Sequence, residues 1–195
     1  MIIGNEPQDG EDAELKSAAA ALAATRVWLQ KAVIGLELCP FAAAVHATER
    51  IRYSVSDQRS ASGLLEDLAT ELQFLHDTDA RQCETTLLIH PHALQDFGDY
   101  NEFLDEADAL IAAMGFEGEL QVASFHPAYQ FEGTALKDVE NCTNRSPYPM
   151  LHLLREASIE RAVAAYPDTD EIYKKNVRTL RRLGWEGWQR LWTTE

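Results

Sequence analysis

Apolar positions along this chain change period several times, and each change marks an element. Leu22, Leu29, Val33 and Leu36 recur at helical spacing in an alanine-rich stretch, which predicts a first helix from about Ala13 to Leu38. Pro40 stops or kinks it, leaving Cys39 at a helix end or joint. Ile51, Tyr53 and Val55 alternate with Arg52 and Ser54, the period of a half-buried strand. Leu64, Leu65, Leu68, Leu72 and Leu75 return to helical spacing, and Thr85–Ile89 is a continuous β-branched and apolar run suited to a central strand. Phe103, Ala107, Leu110, Ile111 and Met114 line one face of a third helix. Asp99 is its expected N-cap, Glu102 can close a capping box, and Gly115 is its expected C-cap. A third strand is expected at about Leu120–Phe125. Ser146 as N-cap and Pro147 at the first helical position predict a helix ending at Tyr166–Pro167. A last helix is expected over Asp168–Leu183, with Gly184 as its stop.

This order of elements, with crossovers long enough for right-handed parallel connections, places the chain in the α/β class. The expected architecture is a small, mostly parallel or mixed sheet flanked by helices, with a C-terminal helical segment; a ferredoxin-like α+β fold is the alternative. Residues 1–12 are polar and read as a disordered tail, and residues 13–195 as one domain. Trp185, Trp188 and Trp192 recur at i, i+3 and i+7, either packing back on the body or offering a surface to a partner or a second copy.

Composition narrows the functional classes. The net charge is −15 and the pI about 4.7, a field that repels phosphate backbones and anionic lipid, so general nucleic-acid or membrane-surface binding is not expected. No run approaches the ~18 apolar residues of a membrane-crossing helix. The start of the chain lacks the basic and apolar regions of a signal peptide. The three cysteines, Cys39, Cys83 and Cys142, are odd in number and far apart, which points to a reducing, cytoplasmic setting.

The candidate chemistry clusters at strand ends and in the polar stretch after the third strand. Ile89-His90-Pro91 and Phe125-His126-Pro127 end two strands alike, and in a parallel sheet ligands bind beyond such ends. His126 and His90 are therefore the candidate acid/base pair, with Cys39 as candidate nucleophile. Asn144, Arg145 and Ser146 lead into the expected helix, whose free N–H groups would form an anion site. His152 and Arg155, at i and i+3, would face the same pocket, and Tyr129 would line it. His90, His92, His126 and Cys39 are ligand types that zinc or iron accepts, yet no close-spaced pair anchors a metal site, so no metal ligand is assigned and the cofactor is left open.

Five strings carry a resemblance: LCPFA (38–42), ETTLLIHP (84–91), DYNEFLDEADAL (99–110), LQVASFHPAYQFEGT (120–134) and TNRSPYPMLHLLREASIERAV (143–163). From about Thr25 to Leu183 the chain resembles an uncharacterised bacterial domain-of-unknown-function family. The family's strings map onto Cys39, His90, His126, Asn144, Arg145 and His152, whereas Cys142 stands where members usually carry tyrosine. The resemblance implies no activity, substrate or cofactor. The expected function is a soluble small-molecule enzyme that binds an anionic metabolite at the strand-end histidines and the 126–155 segment. A non-catalytic ligand-sensing or interaction module and a metal-dependent enzyme with histidine ligands are the alternatives.

Overall fold

The computed structural model describes residues 8–165 and 169–193. In chain order its elements are α1 (Gln8–Trp28), a π-helical continuation (Leu29–Ile34), α2 (Ala42–Ala47), β1 (Ile51–Val55), α3 (Ala61–Asp77) and β2 (Thr85–Ile89). There follow α4 (Phe97–Ala113), β3 (Leu120–Phe125), a 3-10 turn (Val139–Thr143), β4 (Met150–Arg155), α5 (Glu156–Ala165) and α6 (Thr169–Arg190). The strands form one mixed sheet in the order β1-β2-β4-β3. β1 and β2 are parallel, and β4 is antiparallel to both of its neighbours, β2 and β3. The first three strands therefore run one way and β4 runs against them. This is an α/β fold, and its strand-helix order is not the βαββαβ of the ferredoxin-like alternative.

The expected helix from Ser146 is a strand at its start. Met150–Arg155 pairs with Thr85–Ile89 on one side and Leu120–Phe125 on the other, with His152 opposite both Leu87 and Ala123. The run Met-Leu-His-Leu-Leu-Arg has helix-forming residues and no alternation, because a central strand buries both faces. Helix resumes only at Glu156. His152 and Arg155 are thus not neighbours on one helix face; three apart in a strand, they project to opposite faces of the sheet.

Each face has its own core. Leu64, Leu68 and Leu72 of α3 and Tyr100 and Phe103 of α4 pack with Leu88, Leu151 and Leu153. On the other face Trp28 and Leu29 pack with Leu87, Ile89, Met150, Leu180 and Trp188. Asp96, rather than Asp99, caps α4, its carboxylate accepting from the Gly98 and Asp99 N–H groups. Arg155 closes the far end of α3: its Nη2 donates to the carbonyls of Leu75, Thr78 and Cys83 at 2.6, 2.5 and 3.1 Å. Those carbonyls lie at and just past a helix C-terminus, where acceptors lack partners.

Of the expected disordered tail, residues 8–12 belong to α1, which is present from Gln8, and residues 1–7 lie outside the described residues. The expected helix end at Tyr166–Pro167 also lies outside them. Gly184 breaks α6 with φ 65°, a conformation that favours glycine, and turns the chain so that the tryptophans fold back. Trp188 is buried and Trp185 half-buried, while Trp192 stays 40% exposed with its ring against Trp188 at 5.3 Å.

One side chain joins the sheet to α4. The Tyr100 hydroxyl donates to the Met150 carbonyl at 2.8 Å and accepts from the Phe125 N–H at 3.0 Å, bridging the ends of β4 and β3. Tyr100→Phe leaves both backbone groups without that partner in a buried setting. It should lower stability by about 1–3 kcal/mol in urea unfolding; a change within error would show that the bridge contributes nothing.

Candidate functional site

The strand-end histidines do lie at the same end of the sheet, since β2 and β3 run the same way with β4 between them. The Tyr100 ring stands between them, 5.8 Å from His90 and 5.0 Å from His126 by ring centroids. Phe97 is 5.3 Å from His126 and 5.2 Å from Tyr129, so Tyr129 joins the same aromatic group. His126 is buried and committed: its Nε2 donates to the Leu94 carbonyl at 3.2 Å and its Nδ1 accepts from the Ala128 N–H at 3.0 Å. His90 is fully buried; its Nδ1 donates to the Ala93 carbonyl at 3.0 Å, while its Nε2 has no partner among the described residues. Both imidazoles thus clamp consecutive carbonyls of the β2–α4 loop, in which Leu94 adopts a left-handed φ of 51°. A leucine there is strained, and the two clamps hold it. Burial pushes the His90 pKa down to about 4, against the opposing Ala93 hydrogen bond, and lowers that of His126 too.

The stretch from His126 to Pro149 is ordered by its own hydrogen bonds. Buried Asn141 accepts from the Phe131 N–H and the Thr134 hydroxyl and donates to the Ala135 carbonyl. Arg145 donates to the carbonyls of Tyr129 and Leu136 at 3.0 and 2.8 Å and stacks 5.3 Å over the Trp185 ring. Asn144 continues the edge of β3, accepting from the His126 N–H and donating to the Ser124 carbonyl. The Ser146 hydroxyl donates to the Tyr148 carbonyl. Asn144 caps the C-terminal side of the 3-10 turn, and no helix begins at Ser146. The helix N-terminus on which the anion site was expected is therefore absent at this place.

Cys39 and His152 fall together elsewhere, on the opposite face of the sheet from His90 and His126. Both line an apolar cavity of about 300 Å³. Its floor is Leu87, Phe125 and Leu154, its roof Trp28, Leu29 and Val33, and its sides Phe41 of the 35–41 turn and Ile159 and Val163 of α5. The roof is the π-helical segment, a geometry that often accompanies functional sites. His152 is half-buried by area, but what it opens onto is this apolar space, so desolvation still lowers its pKa to about 4. It is neutral at physiological pH and makes no hydrogen bond among the described residues. Its one ring neighbour there is Phe125 at 6.0 Å. At the cavity's charged end Glu84 binds Arg50 at 2.7 Å and Arg161 of α5 at 3.1 Å.

The expected site residues thus separate into four groups. His90, His126 and Tyr129 share the strand-end aromatic cluster; Cys39 and His152 share the cavity; Asn144, Arg145 and Ser146 organise the loop; and Arg155 anchors α3. Trp28, Phe41, Phe125 and Ile159, which give the cavity its shape, carry no sequence signal that separates them from core. Burial holds the Cys142 thiol up at about 11, with Arg145 opposing. Among the described residues no three of His, Cys, Asp or Glu gather as a metal site needs, and no helix is long and apolar enough to cross a membrane.

Fold and site define an α/β protein whose mixed sheet carries a clamped histidine pair at one end and an apolar cavity on one face. The chain belongs to the family described as protein of unknown function (DUF1415), whose model matches residues 20–190. No curated protein matches it, and no solved structure does.

Acid should weaken this fold in a defined window. His90 and His152 are neutral when folded down to about pH 4, but titrate near 6.5 when unfolded. Between those values the unfolded chain binds more protons, so the stability present above pH 6.5 is lost as pH falls toward 4. His152→Leu should flatten the slope of stability against pH across this interval by up to about one proton. An unchanged slope would mean that His152 does not titrate as a buried group.

Proposed function

We propose that the chain binds a small, predominantly apolar molecule in the cavity between the sheet and the π-helical segment, with His152 as its polar contact. One observation carries this reading: a neutral imidazole with neither nitrogen hydrogen-bonded among the described residues, on the wall of a largely apolar space that has Glu84 at one end. Polar atoms that face apolar lining ordinarily find a partner in the protein, in ordered water or in a ligand. A ligand with one hydroxyl, carbonyl or amine on an apolar body supplies the missing partner. The cavity lies at the lower end of the range for small-molecule sites, which favours a ligand of one to three rings or an equivalent alkyl chain. An anionic metabolite held by Arg145 has less support, because that guanidinium already bonds two loop carbonyls.

Titration with 1-aminoanthracene, an apolar fluorophore with a single amine, tests this. Saturable binding to the wild type is expected. Ala162→Trp, which fills the cavity, should abolish it, and His152→Leu should weaken it about fivefold, the worth of one hydrogen bond. Binding that survives Ala162→Trp would place the fluorophore elsewhere and remove the support for this site.

A catalytic version of the same site rests on a second observation, that Cys39 also lines the cavity. In that version the Cys39 sulfur adds to a carbonyl carbon of the bound molecule, the C=O π pair moves to its oxygen, and His152 takes the thiol proton and returns it to that oxygen. Iodoacetamide should then alkylate Cys39 more slowly in His152→Leu than in wild type, and more slowly again with the cavity occupied. Equal rates in all three would leave Cys39 as a wall residue.

A further inference from the structure

We propose that the open edge of β1 docks an extended acidic peptide segment as a fifth strand of the sheet. β1 is an edge strand with β2 as its single partner. Arg50, just before it, accepts from Glu84 and Thr85 through its carbonyl, and the N–H of Ser56, just after it, donates to Ile89. Backbone groups alternate sides along a strand, so the even-numbered residues bond β2 and the N–H and C=O groups of Ile51, Tyr53 and Val55 point away from the sheet. Among the described residues no strand pairs with that side. Such a row is a template for strand addition, in which main-chain bonds supply affinity and flanking side chains supply selectivity.

The flanks of this edge point to the occupant. A groove of about 350 Å³ runs along Glu49–Tyr53, walled by Leu22 and Arg26 of α1 on one side and Phe74 of α3 on the other. Arg50 and Arg52 also line it, so three arginines converge on one strand of a chain whose net charge is −15. Arg26 lies 5.0 Å over the Tyr53 ring and takes part in no ion pair among the described residues. Arg52 stacks 4.2 Å over Phe74 and pairs with Glu71. Arg50 shares the Glu84 carboxylate with Arg161, two cations on one anion. The Tyr53 hydroxyl is buried without a partner among the described residues. Arg50 and Arg52 are already held by Glu84 and Glu71, so the guanidinium that an added strand meets is Arg26, on the α1 face of the strand, and a carboxylate on that face of the added strand would pair with it. A second copy of this chain is disfavoured as occupant: pairing of β1 with β1 would bring arginine to arginine between two strongly acidic bodies.

Selection of twelve-residue peptides from a random phage-displayed library against the full chain tests this. The selected peptides should be enriched in Asp and Glu alternating with apolar residues. The tightest, made with fluorescein and measured by fluorescence polarisation, should bind about tenfold more weakly to Arg26→Glu, a loss of about 1.4 kcal/mol. It should weaken as much against Val55→Pro, which removes an outward N–H and none of the bonds to β2. Circular dichroism melting identifies a variant that fails to fold. If Val55→Pro fails to fold, N-methylation of alternate peptide amides replaces it and should abolish binding. Selected peptides without acidic enrichment, or binding that survives both Arg26→Glu and the backbone change, would overturn the proposal.

Discussion

β4 lies between two strands that run the opposite way, and much of the molecule follows from that insertion. Because β2 and β3 share a direction, both of their histidines emerge at one end of the sheet. Because β4 must start at that end, the chain after His126 has to remain there until Met150 enters the sheet. The 126–149 stretch is the consequence: a long connection that cannot be an arch over solvent, since its backbone groups need partners. Asn141, Asn144, Arg145 and Trp185 supply them. Tyr100 then ties the start of β4 and the end of β3 to α4 with one hydroxyl.

The central strand also divides the chemistry. Its even-numbered residues face the core built on α1 and α6, and its odd-numbered residues face the core built on α3 and α4. His152 is the one polar side chain on its first set, and it opens into space that the helices above do not fill. The clamped pair His90 and His126 lies on the other side, where each bonds backbone and holds a strained leucine. Two histidine environments thus have opposite characters. At the strand ends, hydrogen bonds fix the rings in place. In the cavity, desolvation keeps the ring neutral and its nitrogens free for a partner.

Much of this fold was legible in the sequence. Alternation at Ile51–Val55, the apolar run Thr85–Ile89 and the stripe from Leu64 to Leu75 correspond to β1, β2 and α3 with little error, and Gly184 does break the last helix. β4 was not legible. Ser146-Pro147 imitates a helix start, and a strand buried on both faces loses the period that would identify it. As a helix the segment would put His152 on one face with Arg155 and a helix N-terminus at Ser146; as a strand it puts His152 opposite Leu87, and no helix begins at Ser146. The strand-end convergence of His90 and His126 was legible because it needs only strand direction. Their use as loop clamps was not, since the carbonyls of Ala93 and Leu94 carry no signal in side-chain pattern. The cavity was equally hidden: Trp28, Phe125 and Ile159 look like core, and only the three-dimensional packing shows the space they leave.

The central claim is that the cavity beside His152 is a binding site, and the two separate cores allow it to be tested within one molecule. Methyl-labelled leucine and valine spectra recorded during titration with 1-aminoanthracene would report both faces of the sheet at once. The account predicts saturating shifts at Leu29, Val33, Leu87 and Val163, with Leu64, Leu68 and Leu72 unmoved. Shifts confined to the α3 and α4 face, or no saturable shifts at all, would contradict it.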